Sequence, residues 1–155
     1  MVDRKSSLLP GCPRCPLIGV LHLPPLPGSV RFERGKWDDL TERIAADLAA
    51  LAPGSEAGVD AVIVENFGDA PFPKGEVPPV TVAAMTAILA KFPLPVPLGI
   101  NVLRNDARAA LSIAAVIGAA FVRVNVLSGV YATDQGIIEG KAREVLEVRS
   151  RLCPE

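Results

Sequence analysis

The chain has 155 residues with 16 basic and 17 acidic side chains, so it is nearly neutral, and half of its residues are hydrophobic. That length fits one domain with ample core material, while the lack of any basic run and an aromatic content of 5% exclude nucleic-acid binding by charge or by base stacking. The longest uncharged apolar run, 109–122, is too short for a bilayer and reads as a helix end, a turn and a strand start, so no membrane insertion is expected.

Residues 1–16 form a polar, Pro-rich lead-in without the apolar segment of a secretory signal. They carry Cys12 and Cys15, half of a zinc site at most, since a structural site takes four ligands. The pair reads as incidental thiols on a tail, and no metal is expected. Cys153 makes the cysteine count odd, which with no export signal points to reduced thiols and a cytoplasmic setting. The 15 prolines and 13 glycines of the chain fall at joints between apolar segments and read as punctuation.

From residue 17 to 155 a single domain is expected, built by β-α repetition. The first strand is LIGVLHL, 17–23, with Ile18, Val20 and His22 on one face; the prolines 24, 25 and 27 end it. A helix begins near Asp38, buries Leu40, Ile44, Leu48 and Leu51, and stops at Pro53-Gly54. The second strand lies in GVDAVIVENFGDAPF, 58–72. Its short β-branched run reads as buried on both faces, it exits in Glu65-Asn66, and a long irregular loop follows. The second helix starts at Pro78-Pro79 and turns Met85, Ile88, Leu89 and Phe92 inward. The third strand is 97–102. Asn105 or Asp106 caps the third helix, whose apolar face takes Leu111, Ala114, Ala115 and Ile117 before Gly118 ends it. The fourth strand is FVRVNV, 121–126. TDQGIIEG, 133–140, reads as the next loop, and the last helix, 141–152, carries Val145, Val148 and Leu152.

Four βα units make half of a (β/α)₈ barrel, which takes about 250 residues when whole. An open four-stranded sheet is the other possibility. No G-x-G-x-x-G follows a strand, so no dinucleotide cofactor is expected. The segments LIGVLHLPPLPGS (17–29), GVDAVIVENFGDAPF (58–72), PLGINVLRNDARAAL (97–111) and FVRVNVLSG with TDQGIIEGKARE (121–144) together resemble the BtpA family. The resemblance implies a TIM-barrel fold and a link to photosystem I accumulation, for which the family's cyanobacterial member is named. Family members continue through a second half-barrel. The resemblance brings no catalytic set, so candidate residues rest on strand position.

Ligands of such folds sit at the carboxyl ends of the strands. The residues there are His22, Glu65, Asn66, Asn101, Arg104, Arg123 and Asn125, with Asp69 and Asp134 in following loops. His22 is either a hydrogen-bonded structural histidine or a general acid/base. Glu65 and Arg123 are expected to pair. The pair either braces the mouth or serves catalysis, with Arg123 holding an anionic group and Glu65 or His22 moving a proton. The amides and aspartates would orient a small polar ligand. Scattered carboxylates and one histidine give no metal-ligand spacing, and Ser128 lies in no nucleophile elbow. Three functions remain open: a photosystem I biogenesis factor, an enzyme or binding protein for a small anionic molecule, and a truncated, inactive fragment. The open edges of the first and fourth strands predict a homodimer or another partner that completes the ring.

Overall fold

The computed structural model describes residue 9 and residues 15–51 and 58–154. Cys12 and the Pro53-Gly54 stop fall outside these residues. Four strands, β1 (Ile18–His22), β2 (Ala61–Glu65), β3 (Leu98–Asn101) and β4 (Phe121–Val122), form one parallel sheet in the order of the chain. The helices α1 (Trp37–Leu51), α2 (Pro79–Lys91) and α3 (Ala107–Ile117) connect them, and α4 (Ala142–Leu152) follows. The α/β class and the sequential parallel order agree with expectation. The long loop after β2 is not wholly irregular: Phe67–Asp69 form a 3₁₀ turn.

The sheet has one helix-covered face. Leu21, Val64 and Ile100 sit in a core with Leu40, Ile44 and Leu48 of α1, Met85, Ile88 and Leu89 of α2, and Ala110 and Ile113 of α3. Each fully buried aliphatic side chain here contributes about 1.5–3 kcal/mol. The α1 stripe is the one its spacing predicts, although the helix starts a residue earlier, which places Asp38 and Asp39 in the first turn beside the positive helix end. On α3 the inward face is rotated from the expected one. Ile113 is fully buried and Ala115 is exposed, because Ile113 falls on the side that meets the sheet. The helix ends at Gly118 in the left-handed conformation, φ 70°.

Asp106, not Asn105, caps α3: Ala109 N donates to its Oδ1 at 2.9 Å and Val77 N to its Oδ2 at 2.8 Å. One carboxylate thus ties the approach to α2 to the start of α3. Asn105 does a different job. Its Nδ2 donates to Val126 O and its Oδ1 accepts from Val126 N, at 3.0 and 2.8 Å. That bracket imitates a strand ladder and fixes the chain where it leaves the sheet.

Two expectations fail after β3. The fourth strand is only two residues long, although Arg123 N still donates to Ile100 O at 2.9 Å. Beyond it the backbone is held by the Asn105 side chain instead of by β3. The segment expected as a loop is an antiparallel hairpin of β5 (Val130–Thr133) and β6 (Gly136–Glu139), turning at Asp134-Gln135 with Gly136 at φ 93°. Ile138 anchors it to the body, and Gly140 N closes its base on Gly129 O at 2.8 Å. The last helix rests on α3 and has no fully buried residue; Val145 and Val148 are half-buried, whereas Leu152 is exposed.

Candidate functional site

In a parallel sheet, residues in register point to the same face. His22 pairs with Glu65 and Glu65 with Asn101. Ile100 pairs with Val122, so Arg123 is the next residue opposite Asn101. His22, Glu65, Asn101 and Arg123 therefore form one polar row across the carboxyl ends of four strands, on the face without helices. Beneath it runs an apolar row, Val20, Ile63, Gly99 and Phe121. Phe121 lays its ring over Gly99, where any Cβ would stand 2.2 Å from the ring.

Glu65 is the hub. Its Oε1 accepts from Arg123 Nη1 and from Asn101 Nδ2, both at 2.9 Å. Its Oε2 lies 3.5 Å from His22 Nε2, inside ion-pair reach but longer than a good hydrogen bond. Asn101 Nδ2 also donates to Asn125 Oδ1 at 3.0 Å. The carboxylate is buried, at 7% exposure, while the Arg123 and His22 side chains are half open, at 55% and 50%. A buried carboxylate needs charge and hydrogen-bond partners, and the row supplies them. The expected Glu65–Arg123 pair is present, and His22, Asn101 and Asn125 join it.

The other predicted residues stand elsewhere. Asn66 and Asp69 are buried behind the row. Asn66 Oδ1 accepts from Leu103 N at 2.7 Å and its Nδ2 donates to Asp69 Oδ2 at 3.1 Å, while Leu26 N donates to Asp69 Oδ1 at 2.8 Å. Burial raises the Asp69 carboxyl above the ordinary aspartate value, against the opposing pull of the Leu26 N–H and the Asn66 amide. These two side chains stitch together the loops after β1, β2 and β3. Arg104 follows β3, next to a cis Leu103–Arg104 peptide. Asp134 sits at the exposed tip of the hairpin, bonded to Gln135 Nε2 at 2.6 Å.

One group at the row was not read from the sequence. Phe67 stacks on the His22 ring, centroids 4.3 Å apart and planes 14° from parallel, and Phe72 leans on Phe67 at 6.2 Å. The signal available was an aromatic two residues past the strand-exit carboxylate. Among the described residues no cluster of His, Cys, Asp and Glu could hold a metal ion, and no helix is long and apolar enough to cross a membrane.

The description of the BtpA family matches residues 14–155. The chain belongs to the BtpA family. It is 55% identical over 142 residues to the photosystem I biogenesis protein BtpA of Synechocystis sp., covering 90% of this chain and 48% of that one. An uncharacterized protein of Pyrococcus horikoshii is 53% identical over 139 residues, covering 88% of this chain and 52% of the other. One of Methanocaldococcus jannaschii is 50% identical over 147 residues, covering 94% and 54%. This BtpA-family chain thus spans about half the length of the curated relatives it matches. No solved structure matches it.

Proposed function

We propose that the row at the carboxyl ends of the strands is a small-molecule site in which Glu65 accepts and returns a proton and Arg123 holds an anionic group. The observation that carries this reading is the division of labour on Glu65. One oxygen is saturated by Arg123 and Asn101, and the other faces half-exposed His22 without a short bond. A carboxylate fixed on one side and open on the other is oriented for proton transfer. His22, held flat by Phe67, then relays that proton to solvent.

The sheet is read here as half of a (β/α)₈ barrel. The apolar row under Glu65 floors the site, and four further strands wall it, from a second copy or from the rest of a chain as long as the relatives. The test is a thermal-shift screen against a library of phosphorylated and carboxylated metabolites. A ligand should raise the melting temperature of the wild type, and Arg123→Ala should abolish that shift. Glu65→Gln should keep binding and lose turnover. If no ligand-induced shift responds to either substitution, the site reading is wrong.

A second reading follows from the Synechocystis similarity: a factor in photosystem I biogenesis, acting through its surface. Expression in a Synechocystis strain lacking its own BtpA separates the two. Rescue by wild type and equally by Glu65→Gln supports the surface role, and rescue by wild type alone supports chemistry at the row.

A further inference from the structure

The geometry points to a phosphoryl-binding subsite beside Arg123, which makes the ligand of the Glu65 row a small phosphomonoester. A cavity of about 360 Å³ opens there, lined by Arg104, Arg123, Asn125, Tyr131 and Thr133 with a few apolar side chains. Among the described residues no aspartate or glutamate lines it. Its polar groups come from three places: the turn after β3, the continuation of β4, and strand β5 of the hairpin. The hairpin is therefore a wall of the site and not a connecting loop.

The charge is unbalanced. Glu65 engages Arg123 through Nη1, and among the described residues the other guanidinium donors of Arg123 are unspent. Arg104 has no carboxylate or hydrogen-bond partner for its guanidinium among the described residues. Two guanidiniums sharing one cavity with no lining carboxylate favour an anion. A carboxylate is satisfied by a single arginine fork. A phosphoryl dianion offers three acceptor oxygens and close to two negative charges, enough for both forks and the Tyr131 hydroxyl.

The position also fits. Asn125 lines the cavity and accepts from Asn101 Nδ2 at 3.0 Å, and Asn101 donates to Glu65. A phosphate ester seated between the arginines therefore points its carbon skeleton along the polar row toward Glu65 and His22. The inference rests on the reading of Glu65 only for where that skeleton lies; the anion subsite stands apart from proton transfer.

Calorimetry on the full chain tests it, with glycerol phosphate as the probe, glycerol and inorganic phosphate as comparison ligands, and sodium chloride matched for ionic strength. The expected result is saturable binding of glycerol phosphate that glycerol and chloride do not reproduce. Arg104→Gln should weaken it by about 10-fold or more, the loss expected when a hydrogen-bonded ionic contact is removed. Arg104→Lys should weaken it less, since it keeps the charge without the fork. Glu65→Gln should leave it intact or tighter, because Arg123 is then released. If circular dichroism shows Arg104→Gln unfolded, Arg104→Lys and Tyr131→Phe, the latter at an exposed position, carry the same comparison. No binding beyond the chloride control overturns the subsite. So does binding indifferent to Arg104 and Tyr131, and binding of inorganic phosphate with exclusion of the ester. If instead the ester binds as expected and Glu65→Gln retains full turnover, the proton-transfer reading fails and the subsite survives.

Discussion

Asn66 has both ends of its amide in use, on Leu103 N and on Asp69. Alanine there strands a buried N–H and one carboxylate oxygen, at about 1–3 kcal/mol for each buried group left unpaired. Asn66→Ala should therefore lower stability by about 2–6 kcal/mol in urea melts. The same change at Asn125, which is part-buried and lines the cavity, should cost far less. Asp69 adds a pH dependence. Its folded carboxyl keeps its proton to higher pH than the unfolded one, mainly through burial. Its contribution to stability is then greatest below the ordinary aspartate pKa and is lost as pH rises through the raised folded value. Urea melts of wild type and Asp69→Asn across the acid range should show the wild type losing ground as pH rises. From the sequence, Asn66 and Asn101 look alike, one amide at each strand exit. Only the register, which puts Asn101 between Glu65 and Arg123 and Asn66 behind the sheet, assigns them different work.

The loops after β1 and β2 lock together at Gly68. Its N–H donates to Leu23 O at 2.9 Å, and a Cβ there would stand 2.4 Å from the backbone of Pro24 and Pro25. Proline backbone is stiff, so the overlap has no cheap relief. Gly68→Ala should push the β1 loop outward and lower the melting temperature by several degrees. It should also shift the His22 imidazole resonances in NMR spectra, since neighbouring Phe67 stacks on that ring. Unchanged His22 resonances would show the two loops to be uncoupled. At this scale the sequence was legible where apolar runs met clear punctuation, as in β1, β2, β3 and the core stripe of α1. It misled after β4. Val124 and Val126 continue the strand alternation, yet the ladder gives way to the Asn105 bracket, a contact across 21 residues that no local pattern reports. The hairpin carried a faint signal, Val-Tyr-Ala-Thr and Gly-Ile-Ile-Glu around Asp-Gln, which the Gly and Asp made look like loop.

Among the described residues of the molecule, β1 and β4 each have one neighbour in the sheet. Ile18 and Val20 are exposed at 39 and 45% along the β1 side of the helix-free face. An uncovered strand edge beside apolar surface is a template for pairing. The 155-residue polypeptide should therefore self-associate at micromolar concentration in sedimentation velocity, and Val20→Lys should shift it toward monomer. A stable monomer for the wild type would show that the edge is protected by other means. The strict order β1-β2-β3-β4 has a consequence for synthesis as well. Each strand docks only on the one made just before it, so the sheet can grow while the chain is still leaving the ribosome. Between the end of β2 at Glu65 and the start of β4 at Phe121 lie 55 residues, and at about 5–20 residues per second that interval lasts several seconds. Throughout it Val20 and Ile63 lie side by side in an apolar row that still lacks Phe121 at its far end, and the nascent chain presents that unfinished row to its surroundings.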